Sequence, residues 1–125
     1  PYPTLFPYTT LFRSRASRNK SFWADVQDTT LHTAYTCPPN CSTEIVFLHV
    51  VNAGSTNTVS VKWYIAASTY TSNFVGAKNL NTGEYVTFSP LRLFLSPGDM
   101  IQIQTTGAGH MDLIGSAVET FVPTQ

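Results

Sequence analysis

The chain has 125 residues, of which only 11% are charged, against about a quarter in an ordinary soluble domain. Seven basic and seven acidic residues cancel, which removes any general electrostatic pull towards nucleic acid or an anionic membrane. A content of 42% hydrophobic and 13% aromatic residues excludes compositional disorder, and the length suits one domain around one core.

The first stretch, "TLFPYTTLFRS" over 4–14, resembles a sequencing-library adapter translated in one frame, codon for codon from Thr4 to Ser14. Both methionines, Met100 and Met111, lie far downstream. Residues 1–20 therefore read as an adapter-derived and linker segment outside the domain, and 21–125 as the domain. The basic run Arg13 to Lys20, "RSRASRNK", reads as solvated linker rather than a nucleic-acid arm.

From there the chain carries short β-branched and aromatic runs broken by Gly, Pro and Asn, the pattern of strands. Strands are predicted over 29–36, 44–52, 58–66, 69–75, 84–88, 91–95, 100–105 and 112–121. The breaks between them have mechanisms. "NAGSTN" (52–57) and "NTG" (81–83) supply Asn and Gly for positive φ. "SPGD" (96–99) places Pro97 and Gly98 at the two central positions of a type II turn. About eight antiparallel strands at this spacing predict an all-β fold, a single β-sandwich of immunoglobulin-like or jelly-roll-like type.

Alternation assigns the core. Val59, Val61, Trp63 and Ile65 share one face of their strand, as do Leu91, Leu93 and Leu95, and Ile101 and Ile103. The 44–52 strand is different. Ile45, Phe47 and Val51 fall on one face, and Val46, Leu48 and Val50 on the other, so both faces are apolar. A two-layer sandwich covers one face only. Val46, Leu48 and Val50, with the outward aromatics Tyr64 and Phe94, are therefore the predicted assembly surface. The few charges on "TYTSNFV" and "EYVTF" leave sheet edges that would suit strand addition from a neighbour.

Sites for chemistry are sparse. Cys37 and Cys41 bracket "PPN"; they read as a local disulfide in an oxidising compartment or as two free thiols. With His32 and His49 they make a poor zinc set, because the two histidines fall on different strands and four ligands must converge. His49 in its apolar strand reads as a core or interface residue. His110 and Asp112 can be drawn as an acid–base pair, but no motif places a nucleophile beside them. Asp99 in its turn reads as a residue that hydrogen-bonds local backbone. No catalytic, metal-binding or cofactor-binding residues are predicted, and no enzyme.

Four segments then carry a family resemblance: "ADVQDTTLHTAYTCP", "EIVFLHVVNAGSTNTVSVKWYIA", "LRLFLSPGDMIQIQTT" and "AVETF". Together they span nearly all of 24–121, and they resemble small β-sandwich proteins of tailed bacteriophages, usually described as virion structural proteins. The Cys-bracketed loop departs from that pattern, which has a plain Pro/Gly turn there. The resemblance implies a non-enzymatic structural subunit of a virion, in head, neck or tail. Its partners would be copies of itself and other structural proteins, with no nucleic acid and no membrane. Two alternatives stand beside it: a subunit of an extracellular fibre or pilus built by strand donation, and a glycan-binding module at the cell surface that stacks sugars on exposed aromatics.

Overall fold

The computed structural model describes residues 16–121. Along them run β1 (Ser17–Val26), β2 (His32–Thr36), β3 (Cys41–Asn52), β4 (Asn57–Ile65), β5 (Tyr70–Leu80), β6 (Tyr85–Phe88), β7 (Leu93–Leu95), β8 (Met100–Thr105) and β9 (Met111–Phe121). The first sheet has the order β1-β9-β3-β6, with β7 also paired to β3; the second has the order β2-β8-β4-β5. All the pairs are antiparallel. β6 pairs with Leu48–Val51 and β7 with Thr43–Ile45, along one side of β3, so the two act as one interrupted edge strand. Counted that way, two sheets of four strands exchange the chain in jelly-roll order, one of the two sandwich types expected.

The predicted strands are all present, with ends shifted by a few residues. β8 has the bounds expected. β5 runs on past the expected end at Val75 to Leu80, with Gly76 inside a bulge. Residues 28–30 form a bend, and strand begins only at His32; in the bend the Asp28 carboxylate accepts from the Thr30 N–H and hydroxyl. β1 was not expected, and it corrects the domain boundary. Ser17 to Lys20, assigned to a linker, are its first four residues, paired with Ala117–Thr120 of β9. The adapter-like stretch 4–14 lies outside the described residues.

Between the sheets lies one core. The first sheet contributes Phe22, Val26, Ile45, Leu48, Val50, Leu95, Met111, Leu113 and Ala117, and the second Tyr35, Val59, Val61, Val75, Leu80, Ile101 and Ile103. Trp63 and Leu93 share these inward rows but are half-buried, packed against the cluster. Gly115 is dictated by this packing. It lies opposite Phe22, and a Cβ there would stand 2.3 Å from the Phe22 ring. The aromatic ring occupies the space that a side chain at Gly115 would need.

The turns follow local chemistry. Gly98 and Gly83 have φ of 90° and 82°, as "SPGD" and "NTG" require. The Asp99 carboxylate accepts from the Ala66 and Ser96 N–H groups, as a turn residue does. The loop after β3 works otherwise than expected. Neither Asn52 nor Gly54 has positive φ. Instead the buried Asn52 amide donates to the Ser55 and Leu80 carbonyls and accepts from the Gly54 N–H.

The doubly apolar strand is resolved by one extra residue. Ile45 pairs with Ala117 and Phe47 with Ser116, leaving Val46 without a partner residue on β9. This β-bulge shifts the side-chain alternation by one. Before it, Cys41, Thr43 and Ile45 face inward; after it, Leu48, Val50 and Asn52 do. Each half of β3 thus has one inner and one outer face.

Candidate assembly surface

The bulge decides which side chains of β3 meet solvent. Leu48 and Val50, expected on the assembly surface, are fully buried in the core, and that assignment is corrected. Beyond the bulge, Phe47, His49 and Val51 point outward and are half-buried. Val46 is half-buried at the bulge itself, its carbonyl accepting from the Leu91 N–H. Tyr64 is half-buried on the outer side of the second sheet, opposite Met100. Phe94 is exposed on the outer side of the first sheet, opposite Glu44, with the Arg92 guanidinium over its ring and bound to Glu44 at 2.7 Å.

Strand register aligns the outer face of the first sheet into rows. One row runs Trp23, Ile114, His49, Thr87, and the next runs Asp25, Asp112, Val51, Tyr85. Trp23 is 71% exposed, Tyr85 64% and Ile114 48%. His49 stands between aromatics, its ring centroid 6.3 Å from that of Phe47 and 5.3 Å from that of Tyr85. Its Nδ1 lies 2.7 Å from the Thr87 hydroxyl, which fixes the ring. The result is a strip of Phe47, His49 and Tyr85 beside Trp23 and Ile114. Sequence reasoning missed this strip; its one local signal was the alternation of Phe22, Ala24 and Val26, which leaves Trp23 on the opposite face.

The outer face of the second sheet is of another kind. Alternation presents Thr58, Ser60, Lys62 and Tyr64 from β4, and Met100, Gln102 and Gln104 from β8. Lys62 donates to the Gln104 amide oxygen at 3.2 Å.

One end of the sandwich holds a polar network. Glu119 is buried and accepts from the Tyr35 hydroxyl and from Arg18 Nε at 2.6 Å. Tyr35 also meets the Thr43 hydroxyl at 2.8 Å. Burial pushes the Tyr35 phenol up, and the Glu119 charge adds to it. Burial also works to raise Glu119, but the Tyr35 and Arg18 hydrogen bonds outweigh it and hold the carboxyl below its ordinary range. At neutral pH the acid is ionised and the phenol protonated, so neither is poised to exchange a proton.

The cysteines are free and buried. The Cys37 thiol lies 3.5 Å from the Cys41 carbonyl oxygen and 3.2 Å from the Thr43 hydroxyl. Burial pushes it up, which suppresses the reactive thiolate. The cysteines and histidines proposed as a poor zinc set do not converge. Cys37 and Cys41 face the core, His49 faces out of the first sheet, and His32 binds Asp28 at 2.8 Å. His110 does approach Asp112, at 3.3 Å, and Asp25 joins them at 3.0 Å from the same nitrogen.

No protein-family model matches the chain, and no curated protein matches it either. Solved structures do. A protein of the Bacillus endospore appendages, described as a novel family of disulfide-linked pili, superposes with a TM-score of 0.57 at 14% identity, over 87% of this chain and 91% of its own. A protein of the acid-stable capsid of a Helicobacter pylori bacteriophage superposes with a TM-score of 0.50 at 12% identity, over 86% and 95%. At such identities the likeness is one of fold: this chain is built on a two-sheet β-sandwich that a pilus and a phage capsid also use.

Proposed function

We propose that this chain is a structural subunit of a virion and that it self-assembles through the outer face of its first sheet. The observation that carries the reading is the strip of Trp23, Ile114, Phe47, His49 and Tyr85, open to solvent on one face. Burying a large apolar side chain yields about 1.5–3 kcal/mol, and Trp, Tyr and Phe are the residues enriched in protein contacts.

Contact runs face to face rather than edge to edge, because the sheet edges are guarded. β2 has a bulge at Ala34, and β5 is bulged twice. β6 and β7 are separated by Ser89–Arg92, which includes Pro90. β1 carries Arg18, Lys20 and Asp25. Each is a device that discourages strand addition. The resemblance to phage virion proteins and the shared fold of the phage capsid protein support the virion. The pilus protein that shares the fold supports an extracellular filament as the second reading. A glycan groove has less support, since Tyr64 and Phe94 lie on different sheets.

Sedimentation of the whole chain over a range of concentrations tests the proposal. The wild type is expected to associate, and Trp23→Ser with Ile114→Thr to sediment as a folded monomer. A wild type that stays monomeric at high concentration and binds no apolar dye sinks it.

A further inference from the structure

We propose that Asp25, His110 and Asp112 bind one divalent transition-metal ion, zinc foremost. The sheet itself creates the need for a cation. Asp25 on β1 stands directly opposite Asp112 on β9, and like charges facing each other across a strand pair repel. His110, the residue before β9, reaches both: its Nε2 is 3.0 Å from one Asp25 oxygen and 3.3 Å from one Asp112 oxygen. One ligand atom from each of the three lies within 4.8 Å of the others. Zinc bonds of about 2.0 Å in a tetrahedron set neighbouring ligand atoms roughly 3.3 Å apart, so both histidine–carboxylate separations already fit, and the two carboxylates close by at most about 1.5 Å to share an ion.

The histidine is held from behind. Its backbone carbonyl accepts from the Ala53 N–H at 2.8 Å, and Gly54 packs so closely that a Cβ would stand 2.9 Å from the His110 backbone nitrogen. Asp25 is oriented too, because Gln27 donates to its second oxygen at 3.0 Å, leaving the first for the ion. An outer hydrogen bond of this kind aligns a ligating carboxylate. All three side chains are partly exposed, which gives an ion a way in and leaves its remaining position to water. One imidazole and two carboxylates suit zinc or a neighbouring transition metal; calcium would need six or more oxygens. The site borders the proposed assembly strip, in the row that runs on to Val51 and Tyr85, but its geometry does not rest on the assembly reading.

Zinc titrated by calorimetry into the whole chain, after removal of metal with a chelator, tests the site. Cobalt(II) absorption reports the coordination geometry. The chain is expected to take up one ion, with a melting midpoint that rises with zinc. His110→Gln and Asp112→Asn, both changes at partly exposed side chains, are expected to weaken uptake at least about tenfold and to remove the rise. Three results each overturn the proposal: no saturable uptake, uptake of equal strength in wild type and variants, or a wild-type midpoint indifferent to zinc and chelator. The last would make His110 a plain counter-ion between two carboxylates.

Discussion

The two sheets agree on the inside and differ on the outside. Ile101, Ile103, Val59 and Val61 of the second sheet bury as completely as Leu113, Met111, Leu48 and Val50 of the first. Outward, the second sheet offers mainly Thr, Ser, Gln and Lys, with half-buried Tyr64 and Met100 among them, whereas the first offers the exposed Trp23, Ile114 and Tyr85 with Phe47 beside them. A sandwich needs one apolar face per sheet to fold. An apolar strip on one of the two outer faces is surplus to folding, and that surplus makes it informative about what the molecule meets.

The largest effect tests the bulge that separates inside from outside. Deleting His49 throws Val50 and Asn52 to the outer face and is expected to abolish cooperative unfolding by circular dichroism. Deleting Val46 leaves Ile45, Leu48 and Val50 all facing inward. That variant is expected to fold and to lose about 1 kcal/mol with the Leu91 hydrogen bond. Collapse of both variants would mean that the bulge does not set the register.

Next, the equal insides. Leu113→Ala in the first sheet and Ile103→Ala in the second are each expected to cost about 2–5 kcal/mol in urea unfolding. A large disparity would show that one sheet dominates the core.

A smaller effect separates the sheets by pH. Glu119 in the first sheet sits below its ordinary value when folded. Its contribution is therefore complete above the unfolded value of about 4.3 and is lost as pH falls through the folded one. Asp28, beside the second sheet, is lowered to about 2, mainly by the Thr30 hydroxyl and His32, so its contribution fades between about pH 4 and pH 2. Glu119→Ala is expected to cost about 1–3 kcal/mol near neutrality, because Tyr35 loses its buried partner, and to flatten the acid limb. Asp28→Asn, at an exposed site, should change that limb less. Equal changes would break the contrast between a buried and an exposed carboxylate.

The smallest effects on stability belong to the outer faces. Trp23→Ser and Tyr64→Ser are each expected to shift unfolding by roughly 0.5 kcal/mol or less. Only Trp23→Ser should weaken self-association, by about tenfold or more in sedimentation, the equivalent of about 1.4 kcal/mol. Equal weakening by both would spread the contact over the two sheets.

Where polarity alternates with position, the fold was legible in the sequence. The rows Val59–Val61 and Ile101–Ile103, and the Pro97–Gly98 turn, could be read directly. What failed shares a physical cause. At Val46 both neighbouring faces are apolar, so no polar residue marks the slip in register. β1 opens with Ser17, Arg18, Asn19 and Lys20, which resemble a linker and become strand only by pairing with β9. Of the grouping of Asp25, His110 and Asp112, only the last two have local spacing; a strand pair brings Asp25 to them from the other end of the domain. Long-range pairing makes the candidate sites here, and local pattern does not carry it.

β9 lies between β1 and β3, and this placement governs when the molecule can exist. The last strand of the described residues is an inner one, and among those residues the first sheet has no β1–β3 pairing to hold it together before β9 arrives. Closing contacts over nearly the whole chain is slow, because the loop entropy is lost before any contact is gained. During synthesis the ribosome must release residues up to about Phe121 before that sheet can form, and until then β1 and β3 each present an open strand edge. A chain interrupted before Met111 would keep those edges and be prone to aggregate, so the final eleven residues of the sandwich act as its quality check.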